Sequence, residues 1–357
     1  MKAGQRTVRL QLTEPLRISR ATMTARQAVW LSLEHEGQRG HGEAVTSVYY
    51  GLDADTLGRL LHAESQWLAR FTDPETALEA FSAGDRDKTA LPAVTSALES
   101  ALLDLVGKRA GVPVHQLLGG RGAPPCVPTA RTIGITTPRR AEARATRLVR
   151  DGFSVLKIKA GAPDPAEDLD RVRAVRAVAP HARLLLDPNG AWNADTAERL
   201  LPLFAELGVE AVEQPLTPGD PEALAKLAER SPLPLIADED AIDHEDARRL
   251  AGRVQGINVK LAKCGGVSAA LRIAEIIAGT GTELMLGCLT ASTLGIAPAV
   301  HLADRARWVD LDGHLLLAND PWTGIGGADG TVRAGRNPGL GVRPNGVLAQ
   351  DAEEARA

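Results

Sequence analysis

Three carboxylates close three successive apolar runs: Asp187 in LLLDPNG, Glu213 in AVEQP and Asp238 in IADED. An acid placed after such a run is costly to leave buried and unpaired. Three converging acids repel one another unless a cation sits among them. With no histidine or cysteine at these positions the donor set is all oxygen, which suits Mg2+ better than zinc. Lysines flank the set. Lys157 and Lys159 lie two apart on one strand and share a face, while Lys260 and Lys263 follow the run GINV. A lysine becomes a base only when burial or neighbouring cations lower its pKa, and a divalent cation beside paired lysines provides that setting. Two bases facing one substrate carbon can take a proton from one face and return it to the other. That is racemisation or epimerisation next to a carboxylate whose developing charge the metal absorbs.

The elements that must carry these groups are strands. From Val127 onward, short β-type runs alternate with Ala/Arg/Glu-rich helical stretches: VPTARTIGI, SVLKIKA, ARLLLD, VEAVEQ, PLIAD, GINVKL, TELMLG and RWVDLD. The residues closing them, Lys159, Asp187, Glu213, Asp238, Lys260, Leu286 and Asp310, are 28, 26, 25, 22, 26 and 24 positions apart. Eight such beats predict an α/β chain folded as a (β/α)8 barrel, with its catalytic groups at the C-terminal strand ends. A doubly wound open sheet would carry a glycine-rich nucleotide turn after its first strand, and none is present. Residues 1–50 alternate like antiparallel strands with a turn at Glu36-Gly37-Gln38-Arg39-Gly40, and Asp55 to about Gly107 reads as helical. The expected organisation is an α+β capping domain over 1–122, the barrel over 123–320, and a C-terminal segment over 321–357 that returns to the cap.

Composition narrows the partners. The net charge of −4, with 41 scattered cationic residues and 3% aromatics, offers neither a basic field nor stacking platforms for nucleic acid. Cys126, Cys264 and Cys288 are odd in number and far apart, arguing against a disulfide framework. No secretory pattern or membrane-length apolar run occurs. The expectation is a cytoplasmic enzyme acting on a small molecule, without membrane or nucleic-acid partner, and assembled as a homo-oligomer.

The ordered strings LKIKAG, DPNGAW, VEQPL, IADED, INVKLAKCGG, GCLTAS and HLAD, with HGEAV and ALLDLVGK in the first domain, resemble the muconate-lactonizing branch of the enolase superfamily. That superfamily uses lysine or histidine bases with magnesium-stabilised ene-diolates. The resemblance implies one Mg2+ per subunit held by Asp187, Glu213 and Asp238. It implies Lys159 and Lys263 as the two acid/bases, Lys157 as partner of the substrate carboxylate, and Lys260 and Asn189 in supporting places.

The eighth run, WVDLDG, sets Asp310 and Asp312 at i and i+2, so both should point into the barrel and want a cation. A substrate ammonium would satisfy them. DLDGHLLL also resembles the Asp-x-Asp signature of dipeptide epimerases, which implies inversion at the Cα of the C-terminal residue of an L-Ala-L-Xaa dipeptide. Thr132 is expected among the substrate contacts. Arg20 lies where relatives acting on alanyl-glutamate carry an arginine, whereas Ala291 replaces an acid common in the GCMxES string. The alternative within the branch is an N-acylamino acid racemase or an o-succinylbenzoate synthase-type enzyme.

Overall fold

The computed structural model describes residues 1–83 and 91–346. The part of the expected helical stretch at 84–90, and the tail from 347 to 357, lie outside the described residues.

The first domain is a three-stranded antiparallel sheet of β1 (Lys2–Ile18), β2 (Ala21–His35) and β3 (Gln38–Val45), followed by α1 (Ala54–Trp67), α2 (Pro74–Ser82), α3 (Pro92–Ala110) and α4 (Val114–Leu117). Glu36 and Gly37, with φ of 49° and 79°, make the two-residue turn between β2 and β3. This left-handed pair matches the twist of the flanking strands. Both faces of β2 are covered. Val29, Leu31 and Leu33 pack on the cap helices, whereas Ala28 and Trp30 join the core that continues into the barrel.

After β4 (Cys126–Pro128) come the barrel strands β5 (Ala130–Ile133), β6 (Val155–Lys159), β7 (Arg183–Asp187), β8 (Val209–Glu213), β9 (Leu235–Ala237), β10 (Gly256–Lys260), β11 (Glu283–Gly287) and β12 (Trp308–Asp310). Each pairs in parallel with the next in chain order. Between them run α5 (Pro138–Arg150), α6 (Pro165–Val178), α7 (Ala194–Glu206), α8 (Pro221–Arg230), α9 (His244–Leu250), α10 (Leu261–Cys264), α11 (Val267–Ile277) and α12 (Thr293–Val300). All eight expected strands are present. Side chains alternate as a closed sheet requires. Leu156, Ile158, Leu184, Leu186, Val212, Ile257, Val259 and Leu286 face the helices. The inward set begins with a buried layer of Ala130, Val155, Leu185, Ala211, Ile236, Met285 and Trp308. Above this apolar floor the same inward register brings up the charged residues.

The cap docks through buried carboxylates. Glu43 on β3 accepts from Trp30 Nε1 at 2.7 Å, from the Ser292 backbone N–H at 2.8 Å, and from the Ser292 hydroxyl. Glu99 on α3 accepts from the N–H groups of Val267 and Ser268, 2.5 and 2.9 Å away at the start of α11. Asp104 on the same helix accepts from the N–H groups of His41 and Leu340, each at 2.9 Å. A Cβ on Gly42 would lie 2.0 Å from the Ala97 carbonyl, so glycine in HGEAV is what lets β3 touch α3. The C-terminal segment touches β2 at Trp322, which meets Trp30 edge-on at 5.7 Å. It also adds β14 (Thr331–Arg333) antiparallel to β4, after a short β13 (Trp322–Thr323) that pairs with β15 (Arg343–Pro344).

Candidate active site

At the ends of five successive strands stand, in order, Lys159, Asp187, Glu213, Asp238 (one residue past β9) and Lys260. Lys159 Nζ lies 2.5 Å from Asp187 Oδ2, and Lys260 Nζ lies 2.6 Å from Asp238 Oδ2. The two lysines stand four strands apart in an eight-stranded barrel, hence on opposite sides. Lys157, one inward position below Lys159, is buried beneath the arc. Its ammonium sits 2.5 Å from Glu213 Oε2, 2.7 Å from Asp310 Oδ2 and 3.0 Å from Asp187 Oδ2.

Burial and neighbouring charges pull against each other across this cluster. Burial works against the Asp187 charge, but Lys157 and Lys159 outweigh it and hold its pKa below the carboxylate range. Asp238 is likewise held well down by Lys260 and Lys263 against burial. Glu213 goes the other way: burial and the charge of Asp187 push it up to about 7, although Lys157 opposes. Burial would lower Lys260, yet Asp238 and Glu213 raise it above the ordinary lysine value.

Three residues that carried no assigned role, or only a supporting one, position these acids, two through side-chain amides and one through its backbone N–H. Gln214, wholly buried with φ of 38°, accepts from the N–H groups of Asp238 and Asp240 at 3.0 and 3.2 Å and donates to Asp240 Oδ2 at 2.7 Å. Asn258, inward on β10, donates to Glu213 Oε1 at 2.7 Å. Asn189 takes a left-handed φ of 50°, which asparagine tolerates, and donates its N–H to Asp187 Oδ1 at 2.9 Å. Gln214 stood in plain view in VEQP and Asn258 in INVK. Alternation already placed Asn258 inward beside Lys260, which was the available signal.

Four expectations need correction. Lys263 lies on α10, its side chain fully buried, and its ammonium donates to Asp238 Oδ1, Asp238 O and Asn258 O at 2.8, 2.6 and 2.7 Å. With three donors and three acceptors it has no lone pair to offer, and it lies behind the strand end; Lys260 faces the pocket instead. Asp312 does not share a strand face with Asp310, because β12 stops at Asp310 and the chain turns. Asp312 Oδ2 accepts from Arg131 at 2.9 Å and from the Thr132 N–H at 2.7 Å. Thr132 is thereby buried at the β5–β12 seam, in register with Lys157. Asp310 already has Lys157, so neither acid lacks a cation. Arg20 is also paired, with Glu239 at 2.6 Å and the Asn189 carbonyl at 3.0 Å, and the Tyr49 ring lies 4.2 Å from its guanidinium carbon.

The donor set suits a hard divalent cation. Asp187, Glu213 and Asp238 end adjacent strands, all buried, and Glu213 Oε2 receives no directed hydrogen bond. Among the described residues no three such side chains already surround one point, since lysine ammoniums lie between them. Above the arc opens a pocket of about 560 Å³. Its floor includes Lys159, Lys260 and Asn189, and its roof is the β1–β2 hairpin together with residues 46–50 of the cap.

A capped (β/α)8 barrel with an acid triad between opposed lysines defines an enzyme of the enolase superfamily. Residues 2–119 match the mandelate racemase / muconate lactonizing enzyme N-terminal domain, and residues 140–347 match the enolase C-terminal domain-like family. The chain belongs to this family. It is 34% identical to the hydrophobic dipeptide epimerase of Roseobacter litoralis, covering 98% of this chain and 99% of that one. It is 33% identical to the L-Ala-D/L-Glu epimerase of Escherichia coli over 87% and 92%. Among solved structures, the dipeptide epimerase of Enterococcus faecalis, complexed with Mg and L-Leu-L-Tyr, superposes with a TM-score of 0.88 at 31% identity, over 95% and 98%.

Proposed function

We propose that this chain is a Mg2+-dependent dipeptide epimerase that inverts the Cα of the C-terminal residue. The observation that carries the reading is the opposed pair Lys159 and Lys260, both on the pocket and each hydrogen-bonded to an acid of the triad. One lysine takes the Cα proton and the other returns one to the opposite face. Lys260 thus takes the role expected of Lys263, which instead anchors Asp238. Asp187, Glu213 and Asp238 are the proposed metal ligands. The cluster balances four carboxylates (with Asp310) against four lysines, so Mg2+ adds positive charge that favours a neutral lysine and takes up charge on the substrate carboxylate.

Lys157, beneath the arc, is the proposed partner of that carboxylate. Asp310 Oδ1, buried and without a donor, is the acceptor proposed for the α-ammonium. Asp312 supports it by fixing the loop. Because Arg20 is already paired with Glu239, it is not assigned a free charge for alanyl-glutamate. Cytoplasmic residence and self-association belong to the same proposal; light scattering on the purified protein checks the latter. Among the described residues no helix is long and apolar enough to cross a membrane.

The test is a dipeptide library incubated with the enzyme and Mg2+ in D2O, with mass gain followed at Cα. Faster turnover of N-acylated single amino acids than of every free dipeptide would replace this reading with an N-acylamino acid racemase.

A further inference from the structure

Five charged side chains line the pocket: Arg20, Arg26, Lys159, Glu239 and Lys260. Four are neutralised within the protein. Lys159 has Asp187, Lys260 has Asp238, and Arg20 and Glu239 have each other. Arg26 has no ion pair among the described residues. Its Nη1 donates to the Thr46 carbonyl and its Nη2 to Met23 Sδ at 3.2 Å, while its Nε has no partner. The titratable group facing it is the Cys288 thiol, which burial keeps protonated and therefore uncharged. Burial without a counter-charge pulls Arg26 down to about 10. An unpaired guanidinium on a pocket wall is a fork of donors awaiting an anion.

Its place says which part of a substrate it meets. Cys288 follows β11, and its Sγ donates to the Asp310 carbonyl at 3.3 Å. Arg26 therefore overhangs the β11–β12 side of the pocket. Arg20, bound to Asn189 and Glu239, overhangs the β7–β9 side. If the dipeptide ammonium sits at Asp310, the N-terminal residue extends beneath Arg26.

We infer that Arg26 is a specificity-determining residue that takes a carboxylate on the side chain of the substrate's N-terminal residue, so that the preferred dipeptides begin with an acidic amino acid. The inference rests on the proposed binding mode, with Asp310 at the amino end. It also explains how a pocket already closed over its other charges could favour one class of dipeptide: the incoming carboxylate supplies the anion that Arg26 lacks. A cationic N-terminal side chain meets repulsion at the same place.

The test compares near-isosteric pairs with the full-length enzyme and Mg2+: L-Glu-L-Ala against L-Gln-L-Ala, L-Ala-L-Glu against L-Ala-L-Gln, and L-Ala-L-Ala as neutral reference. We expect the first pair to differ by at least about tenfold in kcat/KM, mostly through KM, and the second pair to differ less. Arg26→Gln should bring the first ratio near unity, and Arg26→Lys should keep part of it. Calorimetric binding of L-Glu-L-Ala should weaken in parallel in Arg26→Gln, with circular dichroism confirming its fold. Turnover of L-Ala-L-Ala with a wild-type Glu/Gln ratio near unity overturns the inference but leaves the epimerase reading standing. So does a preference that survives Arg26→Gln or belongs to the C-terminal position. Failure of every dipeptide overturns both.

Discussion

The carboxylate of Asp312 accepts the backbone N–H of Thr132 at 2.7 Å, joining residues 180 positions apart. It lies where β12 meets β5, the one neighbouring pair in the barrel that forms no ladder among the described residues. Thr129 Oγ1, accepting from the Leu311 N–H at 2.9 Å, is the second stitch. An acid read from sequence as a substrate ligand is therefore also a closure for the fold. Asp312→Ala leaves Arg131 without its counter-charge and the Thr132 N–H without its acceptor, and we expect a loss of about 3–5 kcal/mol in urea unfolding. Asp310→Asn should instead show itself in recognition. The wild-type enzyme should prefer free dipeptides over their N-acetyl forms by at least about tenfold in kcat/KM, equivalent to 1.4 kcal/mol. Asp310→Asn should shrink that preference.

Glu213 is the triad member that burial has raised to about 7. Glu213→Gln keeps the volume and removes the charge. Titration calorimetry should show Mg2+ binding weakened by at least about tenfold, with activity lost and the circular dichroism spectrum retained. Wild-type activity should vanish in excess chelator and return with Mg2+. Full activity in chelator would remove the metal from the scheme.

The lysines separate by position. Lys159→Ala and Lys260→Ala should each abolish epimerisation, losing at least about 10²–10⁴ in rate. Each should still exchange the Cα hydrogen of one stereoisomer with D2O, and the two variants should serve opposite isomers. Lys263→Ala should behave differently, losing thermal stability because Asp238 loses a buried partner, without stereoselective residual exchange. One-sided exchange by Lys263→Ala, together with wild-type epimerisation by Lys260→Ala, would restore the assignment expected from sequence.

Glu43 tests the contact between cap and barrel. Burial pushes its carboxyl up to about 7 despite the donors on Ser292 and Trp30. Because the folded pKa exceeds the unfolded one, the folded state holds the proton more tightly. Its stabilising contribution is complete below the unfolded glutamate value and is lost as pH rises through about 7. Across that window the effect is on the order of 2–3 kcal/mol. Thermal unfolding of the wild type should therefore fall between pH 5 and pH 8 more steeply than that of Glu43→Gln. Equal slopes would show that Glu43 is not the group responsible.

The barrel was legible because its strands carry a regular beat and each closes on a polar residue. The acid triad was legible for the same reason, as three consecutive beats end in carboxylates. What sequence could not supply was where a strand stops. Asp310 and Asp312 look alike at i and i+2, but β12 ends between them and the turn sends the second to the seam. Lys260 and Lys263 look alike as well, yet a single turn of α10 puts one on the pocket and the other behind it. Pairing across elements was likewise invisible: nothing in RISRATMT marks Glu239 as the partner of Arg20, 219 positions on.

The helix α3 sends Glu99 to the start of α11 and Asp104 to the C-terminal segment, and thereby binds three distant stretches of chain into one piece. Its consequence is evolutionary. The cap is not a freely detachable module, because a chain that exchanged it would have to keep acids opposite the same N–H groups of α11 and the C-terminal segment. The β1–β2 hairpin tip is held to the barrel chiefly through Arg20, paired with Glu239 and the Asn189 carbonyl, and it carries neighbouring side chains over the pocket. New substrate preferences should therefore arise by drift within that short stretch, and recombination at the domain border should yield chains that fail to assemble.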